Sequence, residues 1–127
     1  MLQKESQMNV IDNSGARAVS CIRIVSNPYR RYARIGDLLI VSIKKLRKKR
    51  RFVSKVKKGS IVKALVVRTK VGYNLFSGDK LAFYSNSVVL LNNNNKLIGT
   101  RIFGFLPRFF RYTHFMRLLS LCAGIRN

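Results

Sequence analysis

Acidic side chains are what this 127-residue chain most conspicuously lacks: Glu5, Asp12, Asp37 and Asp79 stand against 26 Lys plus Arg, for a formal net charge of +22. Four carboxylates can pair with only a small share of those cations, so the counter-charge has to come from outside the chain. Paired carboxylates for acid–base work are missing. The single histidine, His114, has no acid within thirty residues of it in sequence and reads as a packing residue, not a general base. A P-loop, a nucleophile elbow and a Gly-rich dinucleotide fingerprint are absent too, which leaves an enzymatic reading nothing to stand on. Cys21 and Cys122 are too few for a disulfide framework or a structural zinc site and lie in no metal-binding spacing. No metal or cofactor is expected, and the default compartment is a reducing one. No apolar run approaches the roughly 18 residues needed to cross a bilayer. Residues 1–7 carry neither the apolar core of a secretory signal nor the Arg-rich amphipathic character of a transit peptide, so no membrane insertion is expected.

What is present is a globular pattern. At 47% hydrophobic the chain is not a basic disordered tail, and its length fits one domain with one modest core. Val-, Ile- and Leu-rich runs at 19–25, 38–43, 61–67 and 88–91 read as strands, and a weaker run at 80–84 offers a fifth. Turn formers at 26–28, 35–37, 58–59 and 77–79 separate the runs, a spacing that points to a small antiparallel barrel. The run 38–41 is apolar on both faces, which calls for a cover supplied by a terminal helix, a partner protein or RNA. Only the last third has a helical period. Pro107 suits a first turn, and Phe105, Phe109, Tyr112, Met116 and Leu119 follow at three- or four-residue spacing, predicting one or two short helices whose apolar stripe closes the barrel end. The tract of four Asn at 92–95 reads as a polar loop tip and, with the Asn-, Lys- and Phe-rich composition, as a sign of an A/T-biased genome.

The functional signal is the run KKLRKKRRFVSKVKK over 44–58, ten cations in fifteen residues without an acid: Lys44, Lys45, Arg47, Lys48, Lys49, Arg50, Arg51, Lys55, Lys57 and Lys58. Like charges near 4 Å repel by about 1 kcal/mol per pair even in water, so a run this dense calls for a polyanion, and strands on both sides would make it an arm that projects from the barrel. Arg30, Arg31, Arg68 and Lys70 extend the positive surface, while Tyr29 and Tyr32 either stack on exposed bases or pack against the barrel.

Five segments in register carry a family resemblance: Met1-Leu-Gln, DNSGARAVSCIRI over 12–24, RRYARIGDLLIVSIKK over 30–45, VKKGSIVKALVVRTK over 56–70 and GTRIFG over 99–104. Together they closely resemble the universal large-subunit ribosomal protein fourteen in its bacterial and organellar form. The resemblance implies a mainly β fold: a five-stranded antiparallel β-barrel over about 1–98, a protruding basic ribbon over about 44–58 and one or two short helices within 99–127. It implies contact with large-subunit rRNA by Asn13, Ser14, Gly15, Arg17, the basic ribbon, Arg68, Lys70 and Arg101. It also implies neighbouring large-subunit proteins (three and nineteen in relatives) and a bridge to small-subunit rRNA, with Phe105, Arg108 and Arg111 on that side. The segment 45–57 is more basic than in familiar relatives, and the residues after Gly104 depart from the family's pattern.

The reading is therefore a structural constituent of the large ribosomal subunit. A mitochondrial, organelle-encoded origin is expected, because the first residues match the family's own start and plastid relatives carry more acids; bacterial cytoplasm and plastid are the alternatives. The rival from another class is a cationic membrane-surface protein acting through the Phe-rich C-terminal helix. A third reading is a free RNA chaperone or silencing factor, which would have to persist off the ribosome at +22.

Overall fold

A computed structural model describes residues 2–48 and 54–126. Five strands close into a barrel in the order β1 (Gln7–Val10), β2 (Ala16–Ile24), β3 (Leu38–Leu46), β4 (Ile61–Arg68) and β7 (Ser87–Leu91). The four long-run strands match the Val-, Ile- and Leu-rich segments of the sequence. The fifth barrel strand is not the run at 80–84 but the short β1, in which only Met8 and Val10 turn inward. Of that run, just Lys80–Leu81 is extended; it forms β6, paired outside the barrel with β5 (Tyr73–Asn74). The barrel is also not wholly antiparallel. β1 meets β7 in parallel, Asn9 opposite Ser87 and Val10 opposite Val88, and this pairing is what removes the open sheet edge.

Inside the barrel lie Met8, Val10, Val19, Cys21, Leu39, Val41, Ile43, Val66, Val88 and Leu90, with Leu2 and Val56 at its margins. β4 and β7 are apolar on their outer faces as well, and Leu65, Val67, Val89 and Leu91 pack against Ile102, Leu106, Phe110 and Leu118 from the C-terminal segment. Partial cover of Leu38 comes from that same cluster. Of the three covers the sequence left open for two-faced strands, the chain's own C-terminus supplies one. Phe110 is the largest fully buried side chain among the described residues. Phe110→Ala is expected to destabilise the fold by about 3–5 kcal/mol in a denaturant titration, with strand β-structure persisting in far-UV spectra below the midpoint.

The C-terminal segment differs from the helical period read in it. It runs as β8 (Phe105–Pro107), a 3₁₀ turn over Arg108–Tyr112, a helix α1 of five residues (Arg117–Leu121) and β9 (Gly124–Arg126), which pairs in parallel with β8. Pro107 ends a strand and caps the 3₁₀ turn. The backbone changes its residues-per-turn at each boundary, so a 3.6-residue stripe cannot stay on one side. Tyr112 is 80% and Met116 62% exposed, while Leu106, Phe110 and Leu118 face the barrel in their place. No described helix is long and apolar enough to cross a membrane.

Burial raises the Cys21 thiol above its ordinary range, with the Glu5 carboxylate adding to the shift and Lys4 opposing it. A thiol that stays protonated inside the barrel is a poor nucleophile. Iodoacetamide at neutral pH is therefore expected to spare Cys21 in the native protein and to modify it only after unfolding, as read by peptide mass.

Candidate nucleic-acid interface

The turn between β1 and β2 is built on a buried carboxylate. Asp12 is inaccessible to solvent; its Oδ1 accepts from the backbone N–H of Ser14 at 3.0 Å and from the Ser14 hydroxyl, and its Oδ2 accepts from the N–H of Leu90 at 2.9 Å. An Asp two residues before the amide it binds is the usual way such a side chain bends the backbone, and Gly15 completes the bend at φ +101°. Beside it, Asn13 Oδ1 accepts from the N–H of Thr100 at 2.7 Å and of Arg101 at 3.3 Å, and Nδ2 donates to the Thr100 hydroxyl at 2.8 Å. A Cβ on Gly99 would lie 2.8 Å from the Asp12 Cβ, so this close approach needs glycine.

Both legs of the basic arm stand on that turn. The N–H of Arg47 donates to the Gly15 carbonyl and the N–H of Lys55 to the Ser14 carbonyl, each at 2.9 Å. Arg47 Nη2 donates to the Val10 carbonyl at 3.0 Å, and Lys55 Nζ to the Ile98 carbonyl at 3.3 Å. Val56 is buried against the barrel core. Strand pairing between β3 and β4 ends at Ser42 opposite Ile61, with Ile43 and Ser60 bonding just above. Beyond that point the described legs do not pair with each other as a ribbon, because each is tied instead to the 12–15 turn. Lys44, Lys45, Lys48, Lys57 and Lys58 are exposed. Lys49, Arg50 and Arg51 lie outside the described residues.

At the foot of the arm is a feature that the sequence reading missed. The guanidinium carbons of Arg47 and Arg101 lie 5.1 and 5.6 Å from the centroid of one ring, Phe103, which is 39% exposed. GTRIFG was visible as a motif, but nothing in it pairs Phe103 with a residue fifty-six positions earlier. Cation–aromatic contact of this kind orients a guanidinium without neutralising it, which leaves its N–H edges for an anion.

The residues singled out in the sequence thus divide. Arg17, Arg30, Arg31, Lys70, Arg101, Arg108 and Arg111 are exposed cations. Tyr29 is 97% exposed, beside Arg30 and Arg31 in a shallow groove that Lys4 and Arg23 also line, so of its two readings packing is ruled out; Tyr32 is partly covered. Phe105 lies half out of β8, over Gly124.

Asn13, Ser14 and Arg68 each also hydrogen-bond within the chain itself. Ser14 is fully buried, and Gly15 has only its backbone in the turn. Arg68 spans Gly104: Nε donates to the Phe105 carbonyl at 2.8 Å and Nη2 to the Phe103 carbonyl at 2.6 Å, with the Phe83 ring 5.8 Å away. Burial pulls its guanidinium below the ordinary range, the neighbouring Cys122 acting in the opposite direction. A Cβ at Gly104, which sits at φ +81°, would meet Arg68 Nη2 at 2.5 Å. Arg68 thus holds the C-terminal segment to β4, and Asn13 holds it to the 12–15 turn.

Among the described residues no three His, Cys, Asp or Glu side chains gather into a metal-binding group. Two of the other three acids are engaged locally: Asp37 Oδ2 accepts from the N–H of Arg34 at 2.7 Å, and Asp79 Oδ2 accepts from the Ser77 hydroxyl at 2.9 Å. What this surface presents is a set of exposed cations. Residues 1–125 match the model of a protein family described as ribosomal protein L14p/L23e.

Proposed function

Since the chain belongs to the ribosomal protein L14p/L23e family and so has a structural role in the ribosome, we propose that it binds and stabilises large-subunit rRNA and contributes to the inter-subunit surface. One observation carries the reading. The backbone N–H groups of Arg47, Lys55 and Arg101 all bond to the 12–15 turn, yet the carboxylate of that turn, Asp12, is buried and fully engaged by N–H and hydroxyl donors. With Arg47 and Lys55 held on backbone carbonyls, Arg101 on the Phe103 ring and none of them on an acid, these cations fit a phosphate backbone, which releases its condensed counterions when they dock. Exposed Lys44, Lys45, Lys48, Lys57 and Lys58 widen this surface, and backbone geometry, not base sequence, is what such contacts read.

The whole chain, 1–127, acts in this reading as one ribosomal-protein domain. Its partners are large-subunit rRNA, neighbouring large-subunit proteins on the C-terminal side, and small-subunit rRNA facing Phe105, Arg108 and Arg111. The Asn tract and the scarcity of acids support a mitochondrial ribosome. The membrane-surface rival needs a continuous amphipathic helix, and the C-terminal segment breaks into a five-residue 3₁₀ turn and a five-residue helix. The test is a sucrose gradient. The chain is expected to sediment with large subunits at low salt and to be released at high salt. Migration at the top of the gradient at every ionic strength, or flotation with anionic liposomes instead, defeats the proposal.

A further inference from the structure

The β2–β3 loop leads into one end of β3 and the arm leaves the other; against that loop a cleft of about 560 Å³ opens between it, the β4–β5 connection and the 3₁₀ turn. That volume falls within the roughly 300–1,000 Å³ of small-ligand sites. Its lining mixes three chemistries: apolar Ile35 and Val71, aromatic Tyr73 and Phe109, and the exposed cations Arg34 and Lys80. The two rings stand edge to face, 6.1 Å apart at 67°. Phe109 is fixed from behind by the buried Phe110, 5.6 Å away at 73°, and by Gly36, where a Cβ would come within 2.8 Å of the ring. No carboxylate lines the cleft; the nearby Asp37 turns its Oδ2 to the backbone of Arg34.

We propose that this cleft receives a single unstacked nucleotide of the bound RNA, its base against Tyr73 and Phe109 and its phosphate on Arg34 and Lys80. The inference rests on the rRNA-binding reading and goes beyond it by giving that RNA a second, pocket-like contact remote from the basic arm. Charge selects the occupant. Two cations with no acid in the lining favour a nucleotide over an apolar side chain of a neighbouring protein, and an aromatic wall tolerates any base because every base has a π face. Phe109 is held before binding, so little ordering of that wall has to accompany it.

Electron cryo-microscopy of large subunits carrying the full chain tests this directly. The expected result is a base turned out of its stack within van der Waals distance of Tyr73 or Phe109, with a phosphate beside Arg34 or Lys80. A cleft holding only solvent, or a protein side chain, overturns the proposal while leaving RNA on the arm; subunits in which no RNA touches the chain would overturn the rRNA reading itself. In solution, Arg34→Gln with Lys80→Gln is expected to reduce the slope of log affinity against log salt by about 1–2 for large-subunit rRNA. An unchanged slope removes the phosphate seat.

Discussion

Replacing Lys48, Lys49, Arg50 and Arg51 together by Gln is expected to weaken binding to large-subunit rRNA by about 10²–10³-fold near 100 mM salt and to flatten the salt dependence by about 3–4 in log–log slope. The magnitude follows from counterion release, since each cation seated on a phosphate frees close to one condensed ion. Charge substitution is preferable to deleting residues 46–56. Val56 belongs to the barrel core, and the amides of Arg47 and Lys55 hold the 12–15 turn, so a deletion would disturb the fold along with the charge. The melting temperature of the quadruple variant should stay within a degree or two of the parent's. Filter binding over a salt series reads both quantities, and a variant that keeps the parental affinity and slope would remove the arm from the interface.

Arg47 offers the contrast. It is a cation of the same run, but its guanidinium donates to the Val10 carbonyl and lies against Phe103, so Arg47→Gln is expected to cost stability of about 1–3 kcal/mol in addition to affinity. Within one charge run, Arg47 is thus set apart as a cation that also braces the fold. Composition alone cannot make that distinction, because a guanidinium has the same donors whichever way it points.

The same physics sorts what could be read in advance from what could not. β2, β3, β4 and β7 were legible because each buries at least one face over five to nine residues, enough to leave an apolar run. β1 was not, for Met8 and Val10 are its only inward side chains, and its place depends on a parallel pairing with a strand nearly eighty residues away. The C-terminal stripe misled because periodicity presumes one backbone conformation throughout, and 105–126 uses three. The positive charge of the candidate interface was plain. The inward roles of Asn13, Ser14 and Arg68 were not, since a polar side chain beside a turn looks alike in sequence whether it serves RNA or its own backbone. Phe103 went unnoticed for the converse reason, as an aromatic residue among apolar neighbours reads as core until its partners in space are known.

Asp12→Ala is expected to produce the largest loss of stability of any single change at the turn, about 3–5 kcal/mol, a substantial part of the roughly 5–15 kcal/mol that holds a small domain folded. The side chain accepts three hydrogen bonds while fully buried, and its removal strands the amides of Ser14 and Leu90 away from water at about 1–3 kcal/mol each. Asp12→Asn should cost less than the alanine change. Turned with its oxygen toward Ser14, the amide keeps two of the three bonds and sets an NH₂ group against only the N–H of Leu90. The consequence for binding runs along the backbone, because the carbonyls of Ser14 and Gly15 hold the amides of Lys55 and Arg47. Loosening the turn therefore frees both legs of the arm. Under conditions where Asp12→Asn remains folded, its rRNA affinity should fall by about tenfold with no change in salt slope, since every cation is still present and only their preorganisation is lost. Denaturant melts beside a salt series check both halves. A parental midpoint for Asp12→Ala would show that the buried carboxylate does not organise the turn, and a slope that falls with the affinity would show that contacts, not their placement, had been removed.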